Sequence, residues 1–219
     1  LKISNFLYAS SSSVYGGNKN LPFKESDFVD NPLSLYAATK KSNELMAYSY
    51  SHLYGIPSIG MRFFTVYGPW GRPDMAPMIF ANSILQKKPI SIFNYGKMKR
   101  DFTYIDDVVE CIIRCTKNPP QIHYSNENIK EKEPKINAPH KIINIGNNSS
   151  IDLLFFIHLL EKELGEKAIK EFLPIQNGDV PETYADINEL YDWINFKPKT
   201  NLKEGVKYFA KWFIDYYKK

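Results

Sequence analysis

The spacing of apolar and polar residues changes period repeatedly along this chain. Residues 3–9 form a short, bounded apolar run, which reads as a buried strand, parallel if helices flank it. Residues 14–30 carry glycine, proline and charge and read as a loop. Asn31 and Pro32 then suit the N-cap and first turn of a helix. It should run to about Leu53, with Leu35, Ala38, Leu45, Met46 and Tyr48 at its apolar positions, and stop at Tyr54-Gly55-Ile56-Pro57. Residues 58–64 predict a second buried strand with Arg62 at its polar end, and residues 65–74 a loop rich in glycine and proline. A helix is expected over 78–85, short strands over 90–93 and 100–105, and a helix capped by Asp106 with Val108, Val109, Ile112 and Ile113 on one side.

Residues 117–141 read as a polar surface loop. A strand over 141–145 follows, then a helix over 153–164 opened by Ser150 or Asp152 and closed by Gly165. A strand over 168–173 and helices over 187–193 and 202–217 close the chain. Strands alternating with helices predict an α/β fold: the C-terminal part of a doubly wound parallel sheet, with a smaller α/β domain beside it. The expected division is 1–68 for the first unit and 69–219 for the second, with 90–117 and 142–146 able to return to the first sheet.

Composition narrows the class. The chain has 219 residues, 43% hydrophobic and 24% charged, which is a globular balance with enough length for a sizeable core. The net charge of +4 suits a small anionic substrate and is too small to argue for nucleic acid. No apolar run approaches the ~18–20 residues of a membrane span, and no basic-then-apolar leader opens the chain. It opens on Leu1 and runs straight into a strand, as a segment cut from a longer polypeptide would. Cys111 and Cys115, four apart in a helical pattern, read as helix packing and fit a reducing cytoplasm. His52, His123, His140 and His158 show no metal-ligand spacing, so no metal is expected.

The candidate chemistry lies in Tyr36-Ala37-Ala38-Thr39-Lys40, downstream of Ser10-Ser11-Ser12-Ser13. A tyrosine and a lysine four apart share one helix face. A nearby ammonium favours the phenolate of a group that otherwise titrates near ~10. A serine at the end of a neighbouring strand could hold a substrate hydroxyl beside that phenol. Such a set suits proton transfer on a sugar or alcohol oxygen while a hydride moves on the carbon beneath it. By themselves the serines read as a polar loop, and a Tyr-x-x-x-Lys pair recurs on surface helices by chance.

Four stretches carry a resemblance. They are Tyr8-Ala9-Ser10-Ser11-Ser12-Ser13-Val14-Tyr15-Gly16, Tyr36-x-x-x-Lys40, Arg62-Phe63-Phe64-Thr65-Val66-Tyr67-Gly68-Pro69 and Arg100-Asp101-Phe102-x-Tyr104-Ile105-Asp106-Asp107. Together they resemble the extended short-chain dehydrogenase/reductases, and within them the nucleotide-sugar 4-epimerases. Gly68 to Ala76 and Gly178 to Asp186 are most similar to UDP-glucuronate 4-epimerases. The resemblance implies that 1–68 is the second half of an NAD-binding Rossmann domain and 69–219 mainly a nucleotide-sugar domain. It implies Tyr36 as proton acceptor for the sugar C4 hydroxyl, and Lys40 on the nicotinamide ribose. Ser11 matches the family's catalytic serine or threonine, with Ser12 and Ser13 near the sugar. Phe63 and Phe64 would lie along the nicotinamide. Thr65 stands where galactose epimerases carry asparagine. Phe93 would border the uracil, Arg100 bind the diphosphate and Asp179 reach the uridine ribose. Arg100 could instead pair with Asp101 or Asp106, and Thr65 and Arg72 either meet a C6 carboxylate or only shape the loop.

Two features depart from that pattern. The Gly-x-x-Gly-x-x-Gly loop and the acidic residue beyond the second strand are absent, leaving on the order of a hundred residues of the family layout unaccounted for. An isolated fragment of this kind should hold NAD poorly and be inactive alone. Gln176 stands where galactose epimerases carry arginine. Related 4,6-dehydratases place Asp and Glu where Ser12 and Ser13 stand, and decarboxylating relatives a glutamate near the second. The resemblance therefore implies reversible C4 oxidation of a UDP-sugar, UDP-glucuronate to UDP-galacturonate, with NAD regenerated each turn. UDP-glucose 4-epimerisation, decarboxylation or dehydration on the same fold, and an inactive nucleotide-sugar-binding fragment are the alternatives. A homodimer is implied for the full-length protein, through a helix pair including the Tyr36 helix. The usual setting is cytoplasmic sugar supply for capsule or lipopolysaccharide.

Overall fold

The computed structural model describes residues 3–121 and 138–217. Most of the expected surface loop, with His123, lies outside them. Strand β1 (Phe6–Ser11), helix α1 (Leu35–Tyr54) and strand β2 (Ser58–Phe63) open the fold, and strand β6 (His140–Ile145) joins them later in the chain. These three strands form one parallel sheet in the order β1-β2-β6, with Phe6 opposite Ser58 and Ser58 opposite His140. The fold is α/β and Rossmann-like.

The strands between them pair elsewhere. Strand β3 (Thr65–Tyr67) lies within the expected loop and pairs in parallel with β5 (Lys99–Tyr104). On its other side β5 meets β7 (Ser150–Asp152) in antiparallel register. Strand β4 (Pro89–Ile92) pairs in parallel with β8 (Ile169–Phe172). Helices α2 (Ala76–Leu85), α4 (Leu153–Leu164) and α6 (Leu202–Tyr217) share a buried cluster with Tyr67, Ile90, Phe102 and Phe156. Helix α3 (Ile105–Lys117) and α5 (Asn188–Ile194) instead join the cluster of the first sheet, with Val108, Cys111 and Leu190 against Ile59, Ile143 and Ile145. Burial pushes the Cys111 thiol up to about 12 and Cys115 up to about 11, so both stay protonated packing groups.

Three expected details are corrected. The α1 cap is Ser34, whose Oγ accepts a hydrogen bond from Ala37 N at 3.1 Å, not Asn31. Asn31 is held in the loop by Gly16: a Cβ there, at φ 54°, would lie 2.1 Å from the Asn31 carbonyl oxygen. Second, α1 buries Ala37, Glu44, Ala47 and Ser51, while Leu35, Leu45 and Met46 are exposed. Small residues let the helix lie close on the sheet, and its large apolar residues point outward. Third, the N-cap of α3 is Tyr104 rather than Asp106, whereas Asp152 is the N-cap of α4, as expected, without a side-chain capping bond. Asp106 sits in the first turn of α3, where its charge suits the helix dipole.

Two titrating groups, half-buried His140 and buried Asp101, act in opposite senses. Burial pushes His140 down to about 4, partly opposed by the Glu44 carboxylate; its Nε2 lies 2.8 Å from the Tyr8 hydroxyl. Burial pushes Asp101 up to about 6, against backbone N–H donors from Asn147 at 2.7 Å and Ala185 at 3.1 Å. The folded His140 resists a proton that the unfolded chain accepts near 6.5, so stability is lost as pH falls from 6.5 toward 4, by on the order of 3 kcal/mol. Folded Asp101 keeps a proton that the unfolded chain has released above 3.8, so its contribution is lost as pH rises toward 6. His140→Gln is therefore expected to flatten the acid loss of stability, and Asp101→Asn to steepen it, in urea melts from pH 4 to 7. Parallel curves for parent and variants would refute the assignment.

Candidate active site

Three consecutive residues at the carboxyl end of β1 each hold a different part of the site. The Ala9 carbonyl oxygen accepts a hydrogen bond from Lys40 Nζ at 3.0 Å. Ser10 Oγ donates to Glu44 Oε1 at 2.6 Å. Ser11 Oγ accepts from Ser13 N at 3.1 Å and caps a short 3-10 turn over Ser12–Tyr15. It also donates to Ser13 Oγ at 3.1 Å. Strand alternation would send these residues to different faces, but the backbone carbonyl of Ala9 and the two hydroxyls meet one helix, α1, and one turn.

On α1, Tyr36 and Lys40 stack one turn apart, with the ammonium 5.8 Å from the ring centroid. Tyr36 is 52% exposed, so its phenol is open to a ligand at the strand ends, where open α/β sheets bind them. The α1 N-terminus is fixed from a distant part of the chain. Gly178, at φ 82°, packs where a Cβ would lie 2.9 Å from the Leu33 carbonyl oxygen, which brings the Asp179 turn beside the start of α1.

Arg100 reaches that same turn. Its Nη2 bonds Asp179 Oδ1 at 2.8 Å, and Nη1 donates to the carbonyls of Lys99 at 2.9 Å and Pro181 at 3.2 Å. Burial lowers the Arg100 pKa and the Asp179 carboxylate works against it. The alternative pairing with Asp101 or Asp106 is not formed, because Asp101 is consumed by backbone donors in the core. Arg72 lies exposed in the loop after β3 and grips Asp74 through Nε at 3.1 Å and Nη2 at 2.5 Å. Hydrogen bonding to Asp74 raises its pKa, and the Tyr36 hydroxyl is near enough to add to that effect.

Comparison with known proteins now decides the family. The model of the NAD dependent epimerase/dehydratase family matches residues 1–129. The chain belongs to that family. It is 52% identical to Protein CapI of Staphylococcus aureus, over 99% of this chain and 65% of that protein. It is 46% identical to a probable UDP-glucuronate 4-epimerase of Rhizobium meliloti, over 98% of this chain and 63% of the relative. The UDP-glucuronic acid 4-epimerase of Bacillus cereus, solved with UDP-glucuronic acid and NAD, superposes with a TM-score of 0.83 at 33% identity, covering 99% of this chain and 63% of that one. The chain thus spans less than two thirds of the length of these epimerase-family relatives.

The other expected positions lie on several elements. Thr65 begins β3, half-buried, and Phe63 ends β2, also half-buried. Phe64 is buried among Tyr15 and Phe23, with ring centroids 6.3 and 6.5 Å away, which leaves it little open surface. Phe93 is half-buried just after β4, at a 3-10 turn. Ser12 is half-buried and Ser13 exposed.

The part that pattern reading missed is beneath the site. Arg62, expected at a polar strand end, is 2% exposed and bonds Glu44 through Nε at 2.8 Å and Nη2 at 2.9 Å. Its Nη1 donates to the Tyr15 hydroxyl at 3.1 Å, which donates to Asn144 Oδ1 at 2.6 Å. Burial alone would raise the Glu44 carboxyl, but hydrogen bonds from Arg62 hold it below the ordinary range. A Glu one turn after Lys40 on the same face was the available signal.

This family member should tolerate loss of both ends of the pair better than loss of one. Glu44→Leu alone is expected to cost about 3–5 kcal/mol by leaving a buried guanidinium unpaired, and Glu44→Leu with Arg62→Met substantially less. Denaturant melts of the four-member cycle measure this; additive losses would contradict it.

Proposed function

We propose that this chain carries the proton-transfer and sugar-binding part of an NAD-dependent UDP-sugar 4-epimerase that interconverts UDP-glucuronate and UDP-galacturonate. The observation that carries this reading is the half-exposed Tyr36 with Lys40 pinned on the Ala9 carbonyl, beside Ser11 at the strand ends. The division of labour follows the same reading: 1–68 face the dinucleotide and 69–219 mainly the sugar nucleotide, with 142–146 returning to the first sheet.

The donor set suits the nicotinamide end of NAD: an ammonium using one of its protons on Ala9, a phenol, and Phe63 at the end of β2. The sequence holds no Gly-x-x-Gly-x-x-Gly cradle for the pyrophosphate. When bound, NAD would supply the acceptor and donor of the C4 hydride. Everything else falls to this chain. Tyr36 takes the C4 hydroxyl proton and returns it, and Lys40 stabilises the phenolate by its charge. Ser11 hydrogen-bonds the sugar hydroxyl and keeps it beside the phenol. Arg100, half-buried and forked, offers its charge to the diphosphate, with Asp179 beside it for the uridine ribose. Phe93 supplies an apolar edge to the base. Ser12, Ser13, Thr65 and Arg72 meet the sugar, and Arg72 is the cation for a C6 carboxylate. With serines at 12 and 13, no carboxyl pair stands ready to remove water from C5 and C6. The similarity to epimerases of Rhizobium meliloti and Bacillus cereus supports the substrate class. As in such a whole enzyme, a cytoplasmic homodimer is part of the proposal.

The test joins this chain upstream to a glycine-rich dinucleotide-binding segment and follows UDP-glucuronate and UDP-galacturonate by chromatography. Tyr36→Phe is expected to lower kcat about a hundred- to ten-thousandfold with little change in KM. Turnover of UDP-glucose alone, release of carbon dioxide, or UDP binding without any turnover would each overturn the proposal.

A further inference from the structure

The loop after β3 is held at two points. At one end the Met75 N–H donates to the Arg72 carbonyl at 3.1 Å, where α2 begins. At the other end stands Trp70, with φ 62°, a left-handed backbone that a bulky residue rarely adopts. Such strain persists only where the surroundings enforce it, and it gathers at functional sites. Burial does not enforce it here, since Trp70 is 73% exposed. The contacts that do so come from α6. The Trp70 ring centroid lies 5.4 Å from Trp212, tilted at 57°, and 5.0 Å from Tyr216 at 72°, the latter in the edge-on arrangement that aromatic quadrupoles favour. Trp212 in turn stacks on Tyr216 at 5.5 Å, so the platform is itself ordered.

Between these two anchors the loop presents Arg72. Its guanidinium already closes on a carboxylate, that of Asp74, in a two-pronged fork. Both side chains are largely exposed, at 71% and 64%. Water screens such a pair, so a carboxylate on a ligand can take the place of Asp74 at little cost.

We propose that Trp70 is a positioning residue for acidic-sugar selection: docked on Trp212 and Tyr216, it holds the loop so that the Arg72 fork faces a sugar C6 carboxylate. This rests on the reading of Arg72 under the proposed function. Trp70 touches no substrate in this scheme and acts through the path of the backbone. Loss of the ring should therefore weaken recognition of an acidic sugar and spare a neutral one.

The test compares parent, Trp70→Gly and Trp70→Phe in the completed protein, with UDP-glucuronate and UDP-glucose. Glycine removes the ring and also relieves the left-handed backbone, so folding is retained; a melting curve checks this. Trp70→Gly is expected to raise KM for UDP-glucuronate about tenfold, with kcat and the KM for UDP-glucose within about twofold of the parent. Trp70→Phe, which keeps a ring for α6, should recover most of the loss. Trp212→Leu, which removes the platform, should reproduce the glycine result. Equal changes for both sugars, or none for either, would overturn the inference. A parent with no preference for UDP-glucuronate would overturn the substrate reading and this inference with it. A parent whose preference survives in Trp70→Gly would overturn this inference alone.

Discussion

The structure depends on a guanidinium and a carboxylate held out of water between a helix and a sheet. Arg62 on β2 and Glu44 on α1 are 2% and 4% exposed and share two hydrogen bonds. Removing two charges from water is costly, and their attraction offsets that cost only when the remaining donors and acceptors are filled. Here they are: Ser10 donates to Glu44, the Tyr15 hydroxyl accepts from the third nitrogen of Arg62, and Asn144 accepts from the Tyr15 hydroxyl. An apolar contact would let α1 slide or turn against the sheet. A forked ion pair admits one register.

That register is what the site requires. Glu44 follows Lys40 by one helical turn, and Lys40 follows Tyr36 by another. Ala9 and Ser10 on β1 take hold of Lys40 and Glu44 respectively. The phenol, the ammonium and the serine turn are thus set by one rigid join, with exposed atoms supported from a buried network below. Farther out the attachment is made on the surface: the Asp179 turn through Gly178 and Arg100, and the loop bearing Arg72 through the Trp70 ring on Trp212 and Tyr216.

Much of this was legible in the chain order. Short bounded apolar runs marked the buried strands, and glycine after Leu164 and Tyr54 marked helix ends where the backbone turns left-handed. The Tyr-x-x-x-Lys spacing placed Tyr36 and Lys40 together, since a helix fixes residues four apart on one face. The motif order was enough to indicate the epimerase family, which the match over residues 1–129 established.

Sequence by itself therefore determined the elements, their order and the local pairs, because these depend on residues close together in the chain. Tertiary structure decided everything that joins distant segments. It turned the large apolar residues of α1 outward and set Ala37, Ala47 and Ser51 inward beside Glu44, because a close helix–sheet approach favours small side chains around the one ion pair. It sent Arg100 to Asp179, 79 residues away, and left Asp101 to the backbone. It also made Arg62 a buried anchor, because only the assembled fold brings a carboxylate and a phenol, itself bonded to the Asn144 amide, to one guanidinium.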